Sequence, residues 1–123
     1  MKRDLSRLAE LVNEVLPNIP DEQFNIHVWY KKEGNKAIGC PVGWASFHPS
    51  FIEAGLLIKL TASGNAYYPK YKWKYGFAAV CELFNLTREE ADHLFNADFY
   101  RLKGRTTKQE VISRIKEFLA REQ

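Results

Sequence analysis

Cysteine is scarce in this chain, and it has neither a long apolar run nor a large excess of charge of one sign. Two cysteines, Cys40 and Cys81, occur among 123 residues, and no Cys-x-x-Cys pair is present. This argues against a disulfide-stapled secreted scaffold. The apolar stretches are too short to cross a bilayer, and the N-terminus does not resemble a secretion signal. These absences predict a cytosolic protein with reduced thiols and no membrane partner.

The charge balance is modest, with 18 basic against 15 acidic residues and a formal net charge of +3. A charge this small does not by itself require a nucleic-acid partner. The basic residues nevertheless cluster in two short stretches, which are Lys70, Lys72 and Lys74, then Arg101, Lys103, Arg105 and Lys108. Such clusters set up a local field even where the net charge is low.

Hydrophobic periodicity predicts one globular domain over residues 1–123, of the α+β class and mostly helical, with four or five helices and a small antiparallel hairpin. Helices are predicted over 4–16, from 41, over 76–85, from a capping box at 87–90, and from another at 107–110, with a helical turn or two over 49–54. A strand or extended segment is predicted over 24–29, and 31–36 is predicted to be a polar loop. The hairpin is predicted from strands 56–61 and 66–68, with Pro69 marking an edge.

Gly43 lies inside the short helix that Pro41 is predicted to begin. A glycine there costs about 1 kcal/mol of helix stability relative to alanine. Close approach of another backbone offsets that cost, so we expect this helix to be buried and tightly packed.

The pattern contains no evident catalytic or metal-binding arrangement. Cys40 precedes a predicted helix N-terminus, where a thiol pKa is lowered, but its spacing pairs it with none of His27, His48 and His93. The interpretation we favour is a small buried cysteine, and we likewise expect Cys81 to lie in the core. We therefore predict no enzyme activity, no cofactor and no metal, and we keep a cysteine-dependent enzyme as a lesser alternative.

Lysines alternate with aromatic residues in the segment Lys70, Tyr71, Lys72, Trp73, Lys74 and Tyr75. If extended, it would place three lysines on one face and three aromatic side chains on the other. The lysines would then contact phosphates while the rings stack on bases, or hold a small anion, or the rings would anchor a protein interface. A half-buried strand with solvated lysines explains the same alternation. An aromatic edge would also allow two chains to pair into an oligomer.

The second basic stretch, with Arg101, Lys103 and Arg105, is predicted to be a connection leading to the last helix. In the alternative interpretation, the protein is a small nucleic-acid-binding module that uses both this stretch and the lysine–aromatic segment. Salt-sensitive binding would be expected of such a module.

Much of the chain, about residues 24–115, resembles a group of small proteins from bacteriophages, prophages, plasmids and bacterial chromosomes whose function is not established. The resemblance is carried by 24–29, Gly-Cys-Pro-Val-Gly-Trp-Ala at 39–45, Pro-Ser-Phe at 49–51, Gly-Leu at 55–56, Gly-Phe-Ala-Ala at 76–79, Phe-Asn-Leu-Thr-Arg-Glu-Glu-Ala at 84–91, Leu-Phe at 94–95, and 107–115. The core of that group reads Cys-Gly-Thr-x-x-Cys-x-x-Gly-x-Ala. Asn35-Lys36-Ala37 replaces its first Cys-Gly-Thr here, so a two-cysteine site is not implied.

The resemblance implies a mobile-element origin in a bacterial host and no particular activity. Our leading expectation is a non-enzymatic binding protein that modulates a host protein, including one of antiviral defence, or sequesters a small anionic ligand. The binding residues we predict are Lys70, Tyr71, Lys72, Trp73, Lys74, Arg101, Lys103 and Arg105.

Overall fold

A computed structural model describes residues 4–64, 66–101 and 105–122. Its helices are α1 Ser6–Glu10, α2 Pro41–Ala45, α3 Pro49–Ala54, α4 Gly76–Phe84, α5 Arg88–Phe95 and α6 Lys108–Glu122. Its strands are β1 Tyr30–Glu33, β2 Lys36–Gly39, β3 Leu57–Leu60, β4 Tyr67–Tyr71 and β5 Lys74–Tyr75. The strands form a two-stranded sheet and a three-stranded sheet in the order β3-β4-β5, both antiparallel. The predicted mostly helical α+β fold is confirmed, with a second small sheet added.

The first helical segment extends beyond α1 as a π-helical turn, Leu11–Val15, and a 3₁₀ turn, Leu16–Asn18. Its start is fixed by the carboxylate of Asp4, which accepts hydrogen bonds from the backbone and side chain of Ser6. Pro17 lies in the last turn and has no N–H to continue the ladder. The segment therefore has the extent that the apolar spacing predicts but not uniform α geometry, and its apolar side chains enter the core.

The prediction for residues 24–36 is wrong in its local structure. Residues 25–29 form turns, with Phe24 making only an isolated bridge to Gly39, and the predicted polar loop is the β1–β2 hairpin. Gly34 begins its two-residue turn with a φ of +60°. Glycine at this position is a recognised hairpin signal. The signal is hard to recognise in this sequence because both strands contain charged residues.

The close approach predicted at Gly43 is confirmed. A Cβ placed on Gly43 would lie 1.8 Å from the carbonyl oxygen of Trp29. Cys40 is tied to the same segment, because its N–H donates to the Val28 carbonyl oxygen at 2.9 Å. The short helix α2 is consequently buried along most of its length.

The three-stranded sheet packs against α4 through β4, its central strand. The prediction that Pro69 marks an edge strand is therefore wrong. Thr61 N–H donates to the Ala66 carbonyl oxygen at 2.8 Å, and ladder alternation then points the backbone nitrogen of Pro69 away from β3. On that other side β5 pairs only with Lys70 and Tyr71, so the missing N–H breaks no ladder bond.

The C-terminal half is built from capped helices that close the core. Asn85 ends α4 in the left-handed region at φ 59°, and Thr87 and Glu90 form the predicted capping box of α5. The second predicted box is also present, since the Glu110 N–H donates to Thr107 Oγ1 at 3.2 Å and the Thr107 N–H donates to Glu110. The buried side of α6 carries Val111, Ile112, Ile115 and Phe118, with Leu119 partly buried.

Candidate functional site

The lysine–aromatic segment reverses direction instead of running extended. Lys72 and Trp73 form the two-residue turn between β4 and β5, with Tyr71 opposite Lys74 and Lys70 opposite Tyr75. Lys72 takes up a φ of 58° to make this turn. The predicted division into one lysine face and one aromatic face is therefore wrong, because the turn redistributes the side chains.

Tyr71 belongs to the core and not to an exposed surface. It is buried against α4, and its hydroxyl oxygen accepts a hydrogen bond from Arg7 Nη1 at 3.0 Å. The same Arg7 nitrogen donates to the Leu83 carbonyl oxygen, and its guanidinium lies 5.6 Å from the Tyr71 ring centroid. Tyr71 thus joins the N-terminal segment to the sheet and to α4, and it is not available to a partner.

Lys72 and Lys74 share one acidic partner on α4. Lys74 Nζ lies 2.9 Å from Glu82, and Lys72 Nζ lies 3.6 Å from the other carboxylate oxygen. The hydrogen bond from Lys74 lowers the pKa of the Glu82 carboxyl group. Two of the three predicted lysine charges are therefore partly offset at the hairpin edge.

The remaining lysine belongs to the outer face of the sheet, opposite α4. Cross-strand partners share a face, so the register places together Leu57, Lys59, Tyr68, Lys70 and Tyr75, which we call the tyrosine–lysine face. The rings of Tyr68 and Tyr75 lie 5.6 Å apart between centroids, and Lys70 Nζ lies 5.8 Å from the Tyr75 centroid. These contacts show that Tyr68, Lys70 and Tyr75 meet on one surface, where the register also places Leu57 and Lys59.

This face is open to solvent and carries charge of one sign. Leu57 is 47% exposed and Tyr75 is 52% exposed, while Trp73 at the adjoining hairpin tip is 87% exposed. Lysine is the only charged residue type in β3, β4 and β5. An exposed surface that mixes large apolar rings with lysine side chains is suited to an anionic partner.

The alternating segment of the sequence contains Lys70, Trp73 and Tyr75, but the prediction does not include the other contributors. Lys59 lies in a different strand, and Tyr68 precedes the alternating segment. The sequence places Leu57 in a strand and gives it no binding role. The alternation within each strand indicates which of its side chains share a face. The register between strands is needed to know which faces of different strands form one surface.

Arg101 and Arg105, the described residues of the second predicted basic stretch, lie outside the strands that form this face. Arg101 and Arg105 are exposed and flank residues 102–104, so the predicted binding residue Lys103 lies outside the described residues. Lys108 has a structural role, since its ammonium donates to the Ile19 carbonyl oxygen at 2.7 Å and lies 3.7 Å from Asp21. It thereby joins the start of α6 to the chain that follows the first helical segment.

The cysteines have the environment of unreactive thiols. Cys40 is buried with its Sγ 3.7 Å from the Trp29 carbonyl oxygen, and burial raises its pKa to about 11. Cys81 is only partly buried, so the expectation of a fully core position is wrong, although burial also raises its pKa. A nucleophilic cysteine needs a lowered pKa and an accessible sulfur. The pKa of Cys40 is raised and its sulfur is buried.

The histidines do not approach Cys40 in any contact of the described chain. His48 is the N-cap residue before α3, and its Nδ1 lies 3.8 Å from Glu10. His93 lies on α5, and His27 is exposed. Over residues 4–64, 66–101 and 105–122, no three His, Cys, Asp or Glu side chains come together as a metal site would require. Within the same ranges no helix is both long and apolar enough to cross a bilayer.

Comparison of the chain with protein-family models, with curated proteins and with solved structures gives no match in any of the three. The tyrosine–lysine face must therefore be interpreted from its own residues.

Proposed function

We propose that this protein is a non-enzymatic binding protein that contacts an anionic macromolecule through the tyrosine–lysine face and Trp73. The observation that carries the proposal is the juxtaposition, on one exposed sheet surface, of two tyrosine rings with Lys59 and Lys70. Aromatic side chains supply contact area at low entropic cost, and lysines steer and orient an anionic partner.

The openness of the face favours a macromolecule over a small anionic ligand. Pockets that hold small molecules enclose most of the ligand surface. Here Leu57 and Tyr75 each leave about half of their surface in solvent, so a small anion would remain largely hydrated. A large partner can instead cover the whole face at once and desolvate both rings.

The burial of Cys40 supports a binding role over the cysteine-dependent enzyme. Its thiol is shielded from substrates and keeps its proton at neutral pH.

The biological setting we propose follows from the resemblance to small proteins of mobile elements. A protein of that origin, acting in the bacterial cytoplasm, meets host macromolecules, including components of antiviral defence. The two free cysteines are consistent with a reducing compartment.

A matched pair of charge reversals tests the proposal. We would express the tagged protein in a bacterial host and compare Lys59→Glu/Lys70→Glu with Lys32→Glu/Lys36→Glu, which alters exposed lysines of the β1–β2 hairpin by the same net charge. We expect the wild-type protein and the control to retain the same stoichiometric partner and the face variant to lose it. Equal retention by all three, with folding verified by circular dichroism, would show that the face is not the contact surface.

A further inference from the structure

The pattern of charge and rings within the tyrosine–lysine face separates two kinds of anionic macromolecule. In a protein interface, apolar side chains gather at the centre and charged ones at the rim. Here the register alternates them, with Leu57, Lys70 and Tyr75 in one row across the strands and Lys59 opposite Tyr68 in the next. A partner for this face must present negative groups and flat apolar groups at short, alternating intervals.

We propose that the partner of this face is single-stranded nucleic acid, an inference that rests on the proposed function. Its bases would stack on Tyr75, Tyr68 and Trp73, and its phosphates would be contacted by Lys59 and Lys70. A single strand has the required alternation, because each nucleotide carries one phosphate and one flat base. Exposed sheet aromatics with basic neighbours are a general means of holding such strands.

The positions of the lysines fit phosphates on either side of a stacked base. Lys59 and Lys70 are diagonal neighbours on adjacent strands, about 7–8 Å apart at the backbone. The flexible four-carbon lysine side chain extends the reach of each ammonium. Lys70 already lies over the Tyr75 ring, so its ammonium is beside the place where a stacked base would carry its phosphate.

The geometry favours a single strand over a duplex. In a duplex the bases are stacked on one another, and only their edges face the grooves. Two tyrosine rings on a sheet face and a tryptophan at a hairpin tip offer planar surfaces, which an unstacked base can cover. Binding of this kind tolerates many sequences, because every base has a planar face.

Glu82 offsets the charge of two lysines beside the face, so its substitution gives a further test of the partner. It holds Lys72 and Lys74 at the hairpin edge, next to Trp73. Glu82→Gln would free both ammonium groups for the phosphate backbone. Tighter binding by this variant is therefore expected from a nucleic-acid partner.

The test is fluorescence anisotropy with a labelled oligothymidylate of about 16 nucleotides, the upper end of typical site sizes on small sheet domains. If Lys59 and Lys70 each neutralise one phosphate, the logarithm of the affinity should fall against the logarithm of salt concentration with a slope of about −1.4. That slope corresponds to about a sevenfold loss between about 50 and 200 mM salt. We expect duplex DNA of the same length to bind more weakly.

Aromatic variants assign the stacking surface. Tyr75→Ala and Trp73→Ala should each weaken oligothymidylate binding about fivefold or more. Phe99→Ala is the matched control and should leave binding unchanged, because Phe99 is 51% exposed on a separate turn and Tyr75 is 52% exposed. Trp73 is so exposed that its removal does not threaten the fold, which keeps the test valid if Tyr75→Ala is unstable.

Three outcomes would overturn the inference. They are the absence of oligothymidylate binding at about 50 mM salt, equal affinity for duplex and single strand, and an equal effect of Tyr75→Ala and Phe99→Ala. If the oligonucleotide does not bind but Lys59→Glu/Lys70→Glu abolishes capture of an acidic protein that survives nuclease, the inference fails and the proposed function stands. If that face variant captures every partner normally, both fail.

Discussion

The Gly43→Ala substitution tests the close backbone approach between Gly43 and Trp29. The new Cβ would lie 1.8 Å from the Trp29 carbonyl oxygen, and ordinary contacts begin near 3.4 Å, so the two segments must separate by about 1.6 Å. Overpacking of this kind costs about 1–3 kcal/mol, and a lost Cys40–Val28 hydrogen bond adds about 1 kcal/mol. The helix propensity of alanine returns about 1 kcal/mol.

The balance is a loss of about 1–3 kcal/mol in the free energy of unfolding, or about 4–12 °C in the melting temperature. Urea and thermal unfolding followed by circular dichroism measure it. Ala78→Gly, at an exposed position of α4, gives the scale of a glycine–alanine exchange without a clash and should cost no more than about 1 kcal/mol. The direction of the change in the free energy of unfolding separates the two effects, because helix propensity alone predicts that Gly43→Ala stabilises the protein. A variant that melts at or above the wild-type temperature would refute the close approach.

Three further variants test the core and the caps. The folded pKa of Cys40 is raised to about 11, so the unfolded chain loses this proton first and stability should fall as pH rises from about 9 to 11. Cys40→Ala should reduce that slope in pH-dependent urea unfolding, and an unchanged slope would contradict the burial of an intact thiol. Thr87→Ala should cost about 1 kcal/mol by removing the capping box with Glu90, and a neutral effect in the same assay would count against the cap. Tyr71→Phe should cost about 1 kcal/mol by removing the bond with Arg7. Oligonucleotide and partner binding should not change in Tyr71→Phe, and a loss of either would return Tyr71 to the contact surface.

The helices could be predicted because their signals are local. Thr87 with Glu90 and Thr107 with Glu110 satisfy backbone groups within four residues, so sequence alone locates both helix starts. Gly55 ends α3 with a φ of 107°, which the sequence also indicates. The β1–β2 hairpin was missed because charged residues occupy both of its strands, and its stability depends on the packing of Tyr30 against other aromatic rings.

The candidate site could be predicted only in part. The alternation of lysine with aromatic residues drew attention to Lys70 and Trp73, but it gave no indication of the turn at Lys72 and Trp73. Tyr71 has the same local pattern as Tyr75, and yet one is buried beneath the sheet and the other is half exposed. Arg7 contacts Tyr71 from far away in the sequence, and no local pattern contains that contact.

What the sequence determined by itself is the fold class, the helix boundaries marked by capping residues and glycine, and the need for a close approach at Gly43. These depend on hydrogen bonds and steric limits within a few residues. The tertiary structure alone decided which side chains share the tyrosine–lysine face, because a one-residue change of register moves every side chain of a strand to the opposite surface. It also decided the charge of that face, since Glu82 reaches Lys72 and Lys74 only after α4 has folded against the sheet.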